Sequence, residues 1–111
     1  MNNALPLKDY VTNWLRTFKR DAVKIATLAR LETSLNALMD YGIAQMPICD
    51  ITAFELQGYV NELTAKGYAL TTIKKQMFIV TAPLRQAAAM HLIPADPTAG
   101  VKLPIFWSLR L

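Results

Sequence analysis

Apolar residues recur at helical spacing through nearly the whole chain, and no stretch alternates as a strand would. Val11, Trp14, Leu15 and Phe18 stand at i, i+3, i+4 and i+7, which predicts one apolar stripe on an amphipathic helix. Pro6, just before it, suits a first helical turn. Lys8, Arg16, Lys19 and Arg20 fall off the stripe or at its margin and read as a solvated face. A second pattern of Leu28, Leu31, Leu35 and Leu38 predicts another helix, capped by Asp21 or Thr27 and stopped near Gly42. The following IAQMPICD, broken by Pro47, reads as an irregular connector.

The third helix carries the clearest local signal. Thr52-Ala53-Phe54-Glu55 has the form of a capping box, in which the Thr hydroxyl and the Glu carboxylate each accept from a backbone N–H at the helix start. Ile51 and Leu56 stand where a hydrophobic staple forms. Leu56, Tyr59, Val60 and Leu63 supply the stripe, and Lys66-Gly67 supplies the stop. A fourth helix is expected to open at Thr71 or Thr72 and to run toward Leu92. Ile73, Met77, Val80 and Leu84 share one face of it, Lys75 points nearly opposite, and Lys74 and Arg85 share a flank. Pro83 deletes the N–H that would bond to Ile79 and is expected to kink or break this helix. IPADPTAGVKLP, with three prolines and a glycine, reads as a linker or tail. The fold class is all-α: a compact bundle of four to five short helices.

Composition narrows the chemistry. The 111 residues are 53% hydrophobic and 18% charged, a core-forming balance for one domain. One Cys and one His exclude an intramolecular disulfide and a structural zinc site. No apolar run reaches the ~18 residues of a membrane span, and MNNALPLKDY lacks the blocks of a signal peptide, so a soluble cytoplasmic domain without membrane contact is expected. The net charge of +4 favours polyanionic partners.

Catalytic signatures are missing: there is no Gly-rich phosphate loop, no HExxH, no GxSxG and no meaningful carboxylate pair, and no cofactor is implied. His91 projects onto the stripe of Ile73 and Leu84 and reads as a core or helix-end residue. Cys49, in an apolar connector, reads as a buried thiol, and the five Met as core filler. Two helix starts remain, Val23–Arg30 and Leu70–Gln76, which combine hydroxyls, cations and an amide. Unpaired N–H groups and the positive end of a helix suit a phosphate, while Gln or Arg can reach base edges. Ordinary capping with solvated lysines accounts for the same residues.

The order of these elements resembles the core-binding, SAM-like domain of tyrosine recombinases, the phage-type integrases, over about residues 7–104. The residues that carry the resemblance are the basic stretch from Lys24 to Thr27, DITAFELQGYVNEL, LTTIKKQ after a glycine turn, APLRQAAAMHLI, and Asp96-Pro97. The resemblance implies half of a C-shaped clamp on double-stranded DNA at a crossover site, acting with other recombinase protomers and monomeric in isolation. It implies DNA contacts from Lys24, Thr27 and Arg30 at the start of helix 2, and from Thr71, Thr72, Lys74, Lys75 and Gln76 at the start of helix 4. Lys and Thr would sit on phosphates, with Arg30 and Gln76 the candidates for base contact.

The family's tyrosine nucleophile and its Arg, Lys and His partners belong to a C-terminal catalytic domain that this chain is expected to lack. Tyr10, Tyr41, Tyr59 and Tyr68 are therefore not candidates for that role, and no catalysis is expected. Residues 1–104 are expected to form the helical domain, and residues 105–111 a tail in which Phe106 and Trp107 pack back or stay exposed. Two other readings fit the same residues: a helical protein-interaction module, and a small helix-turn-helix regulator turning at Lys66 to Leu70.

Overall fold

The computed structural model describes residues 4–102. The expected tail at 105–111, with Phe106 and Trp107, lies outside the described residues.

Four helices form, and there is no strand among the described residues: α1 (Leu7–Trp14), α2 (Ile25–Leu38), α3 (Ala53–Ala65) and α4 (Leu70–Ala89). One π-helical turn, Leu15–Lys19, prolongs α1, and two 3₁₀ turns, Gly42–Gln45 and Ile48–Asp50, link α2 to α3. α4 touches each of the other three helices and is the spine of the bundle. Its inner face is Ile73, Gln76, Met77, Ile79, Val80, Pro83, Leu84 and Ala87, which meets Leu7, Val11 and Trp14 of α1, Leu35 and Leu38 of α2, and Leu56, Tyr59, Val60 and Leu63 of α3 in one core. Each fully buried Leu, Ile or Val in such a core contributes ~1.5–3 kcal/mol over its exposed state.

α3 forms as its sequence dictates. The Thr52 hydroxyl accepts from the Phe54 N–H at 3.2 Å, and the Glu55 carboxylate accepts from the Thr52 N–H at 2.8 Å, which completes the capping box. Bonding to the Thr52 hydroxyl and then to its backbone holds the Glu55 carboxyl below the usual range. Ile51 and Leu56 are both buried, as a staple requires. The helix closes on Gly67, whose φ of 82° is the left-handed conformation that glycine adopts without strain.

Elsewhere the local signals are overruled. In the π turn the Arg20 N–H donates to the Leu15 carbonyl at 2.8 Å, five residues back. This wider turn takes Phe18 off the stripe and leaves it 37% exposed. Neither Asp21 nor Thr27 caps α2: Lys24 holds the N-cap position in extended conformation, without a side-chain cap bond. α2 ends at Leu38, and Gly42 opens a 3₁₀ turn instead of stopping the helix. α4 starts one or two residues earlier than expected, with Ala69 as its uncapped N-cap and Thr71 and Thr72 inside the first turn. The helix runs unbroken through Pro83, and the buried face keeps its register on both sides of it. One lost N–H bond does not outweigh a proline ring that is itself packed in the core.

α4 also stops short of Leu92. His91 adopts φ 61°, its N–H donates to the Ala88 carbonyl at 3.1 Å, and the Leu92 N–H donates to the Ala87 carbonyl at 2.8 Å. These are the paired bonds of a Schellman ending, with His91 where glycine is usual. His91 is therefore an exposed helix-end residue and not part of the core. Cys49 is exposed too, because its 3₁₀ turn puts Ile48 inward; its Sγ lies 3.6 Å from Asp50 Oδ1. The connector also does more than join helices. The Leu7 N–H donates to Met46 and the Ile48 N–H donates to Leu5, pinning the start of α1 beside Pro47.

The segment after α4 is packed, not free. Ile93 and Thr98 are buried, and Val101 packs against the core. Asp96 Oδ1 accepts from both the N–H and the hydroxyl of Thr98, while Arg85 Nε donates to Thr98 Oγ1 at 3.1 Å. The Thr98 bonds hold the Asp96 carboxyl below its ordinary range. The Gln57 amide both donates to and accepts from the backbone of Lys102, at 2.9 and 2.8 Å.

Candidate nucleic-acid interface

The two helix starts border one face of the bundle from opposite ends: Gln76 reaches Ser34 and Thr72 lies with Ala37 and Tyr41, so the start of α4 stands beside the C-terminal half of α2. α2 and α4 pack side by side, and an open groove of about 550 Å³ runs between them. Thr27, Arg30, Thr72, Lys75 and Gln76 line it, with Phe78 at one end. Thr27 and Thr72 each occupy the third helical position, Thr27 toward the start of α2 and Thr72 beside Ala37 toward its end.

Both starts are electrostatically open. Neither α2 nor α4 has a side-chain cap or an acidic residue in its first turn, whereas α3 has both. The uncapped N–H groups leave the positive ends of two helices unneutralised, and Arg30 and Lys75 add full charges beside them. Phosphate oxygens are the natural complement of such a surface.

The sequence-predicted residues do not all share it. Lys24 is exposed at the head of α2, and Thr71 is exposed in the first turn of α4. Lys74 lies on the other flank of α4, where a hollow of about 280 Å³ also contains Arg85 and Thr98. The shared flank expected for Lys74 and Arg85 is thus observed, and it separates Lys74 from Lys75. Gln76 differs most from expectation. It is 9% exposed, and its Nε2 donates to the Ser34 carbonyl of α2 at 2.7 Å. In this structure its amide straps α4 to α2 at the floor of the groove.

Phe78 is a lining residue that sequence reasoning passed over, as are Thr33, Ser34 and Ala37 of α2. Its ring is 44% exposed and stands edge-on to Trp14, with centroids 6.3 Å apart. Its position just outside the Met77–Val80 stripe was the available signal. Among the described residues no cluster of His, Cys, Asp and Glu could hold a metal ion, and no helix is long and apolar enough to cross a membrane.

Fold and site together define an all-α bundle with a cationic face built from two uncapped helix starts. No protein-family model matches the chain, and no curated protein matches it. Among solved structures, it is similar to the N-terminal domain of the prophage pi2 protein 01, an integrase from Lactococcus lactis. The TM-score is 0.77 at 23% identity, over 88% of this chain and 94% of that one. The chain therefore has the fold of a prophage integrase N-terminal domain.

Proposed function

We propose that this chain is the DNA-binding module of an integrase-like tyrosine recombinase, clamping double-stranded DNA at a crossover site through α2 and α4. The observation that carries this reading is the α2–α4 groove, lined by Thr27, Arg30, Thr72 and Lys75 from two helices whose starts are uncapped. The fold likeness to an integrase N-terminal domain supports it independently of those residues. Thr27, Thr71 and Thr72 hydroxyls and the Lys24 and Lys75 ammonium groups contact phosphates, and Arg30 reaches a base edge. Gln76 positions the two helices, and Lys74 contacts DNA from the other flank of α4. Catalysis belongs to a separate domain of the full recombinase, and the module works in the cytoplasm beside other protomers while being monomeric alone.

The test is an amide chemical-shift titration with a ~20-base-pair duplex at about 50 and 200 mM salt, a range over which phosphate contacts lose most of their strength. Shifts should cluster at residues 24–30 and 71–76 and fade at the higher salt. A folded protein whose shifts stay unmoved contradicts the reading. A second reading, a docking surface for another protein, draws on the 83% exposure of Phe54 and 88% exposure of Ile25. It predicts no response to DNA.

A further inference from the structure

The π turn that takes Phe18 out of the core also sets a second group of cations against α2. Leu15, Arg16, Arg20, Leu28 and Glu32 surround a hollow of about 290 Å³ where α1 meets α2. Leu28 and Glu32 are each two residues from Arg30, which puts both about 160° around the helix from it. The hollow and the α2–α4 groove therefore lie on opposite flanks of α2. Between them runs a solvent-facing crest of Ala26, Ala29, Thr33 and Asn36, all exposed. The Thr33 hydroxyl is turned back onto the Ala29 carbonyl at 3.0 Å, which keeps that crest low.

Arg16 and Arg20 are exposed, and among the described residues neither forms an ion pair. Their neighbour Lys19 is engaged over the Trp14 ring at 5.4 Å. Asp21 and Glu32 are the acids nearest in this region, against Arg16, Lys19, Arg20 and Lys24. α2 is thus a low ridge with cations on both sides: Arg30 and Lys75 along one flank, Arg16 and Arg20 along the other. An α-helix is ~10–12 Å across and the major groove of B-DNA about 12 Å wide, with a phosphate ribbon on each side. Such a ridge matches that profile.

Resting on the DNA-binding reading above, we infer that α2 enters the major groove crest first, with Arg30 at the base edges, and that Arg16 and Arg20 form a second phosphate-binding rim, contacting the ribbon opposite the one met by Lys75. In this arrangement Glu32 is a like charge facing the phosphates, and it weakens binding.

The experiment is a fluorescence-anisotropy titration of a ~20-base-pair duplex between about 50 and 200 mM salt. It compares the wild-type chain with Arg16→Ala/Arg20→Ala, Arg30→Ala/Lys75→Ala and Glu32→Gln, each checked for folding by its amide spectrum. Arg16→Ala/Arg20→Ala should lower the slope of log K against log salt by about 2, and Arg30→Ala/Lys75→Ala by about 1, at ~0.9 per lost phosphate contact. Glu32→Gln should raise affinity about twofold to fivefold at the lower salt, the size of one surface charge contact. If Arg16→Ala/Arg20→Ala binds like the wild type while Arg30→Ala/Lys75→Ala does not, the second rim is wrong and the groove reading stands. If neither double variant differs from the wild type, or the wild type binds no duplex, the groove reading falls with it. Should Arg16→Ala/Arg20→Ala fail to fold, Arg16→Gln/Arg20→Gln replaces it, and an unchanged affinity in Glu32→Gln contradicts the inference independently.

Discussion

α3 and α4 begin in opposite ways, and the difference separates what holds this bundle together from what it presents to a partner. At α3, Thr52 and Glu55 occupy the free N–H groups, Glu55 offsets the helix dipole, and Ile51 and Leu56 are buried beneath. At α4, and likewise at α2, the N-cap position falls to a residue that caps nothing, Ala69 or Lys24. The threonines there sit inside the helix, and neither first turn holds an acid. A closed start stabilises the fold. An open start, on a groove lined by cations, leaves free hydrogen-bond donors for an anion.

The sharpest way to break this contrast is to loosen the pair of helices that carries the two open starts. Gln76→Ala removes the bond to Ser34 and leaves a space beneath the groove, and it should destabilise by about 1–3 kcal/mol. A thermal melt should show a drop of roughly 4–8 °C per kcal/mol. An unchanged melting temperature would mean that the strap does not hold α2 to α4.

Opening the closed start comes next. Thr52→Ala should cost about 1 kcal/mol, measured by urea unfolding, and should leave duplex affinity unchanged. The same site has a pH signature. Because the folded Glu55 carboxyl is lowered, its contribution is present above the ordinary Glu pKa and is lost as pH falls through the lowered folded value. The stability gap between wild type and Glu55→Gln should therefore hold near neutrality and close in the acid range below about pH 4.3.

The helix ends give a smaller version of the comparison. α3 ends on Gly67 and α4 on His91, both in left-handed conformation. His91→Gly should stabilise by about 0.5–1 kcal/mol, because only the histidine carries a Cβ into that region. A melting temperature that does not rise would show that His91 makes a compensating contact.

How legible each part was in the sequence follows from how local its cause is. The α3 start was readable because every group in it lies within six residues. The same holds for the all-α class, since Leu and Val stripes at helical spacing have one consistent solution. The start of α2 was not readable, because Lys24 has no capping side chain to advertise its position. Pro83 suggested a break because the proline rule concerns one backbone bond and omits the core that surrounds it. Cys49 was expected to be buried because its connector is apolar, and the 3₁₀ turn that puts Ile48 inward leaves it exposed; His91 is at the helix end, one of its two expected places. The candidate groove was visible only as two separate helix starts. That Lys75 joins Arg30 while Lys74 turns to Arg85, and that Gln76 points inward, depends on how α2 packs on α4, a contact between segments about forty residues apart.

The claim that α4 is left open for an anion can be tested most directly by closing it. Ala69 has the extended conformation of an N-cap, φ −64° and ψ 153°, so Ala69→Asp can supply the missing cap. Thermal melts and duplex titrations on the same samples should move in opposite directions. The melt should rise by the equivalent of about 0.5–1 kcal/mol, and affinity should fall about twofold to fivefold as a carboxylate occupies the phosphate's place. A variant that melts higher and binds the duplex as well as the wild type would contradict the account.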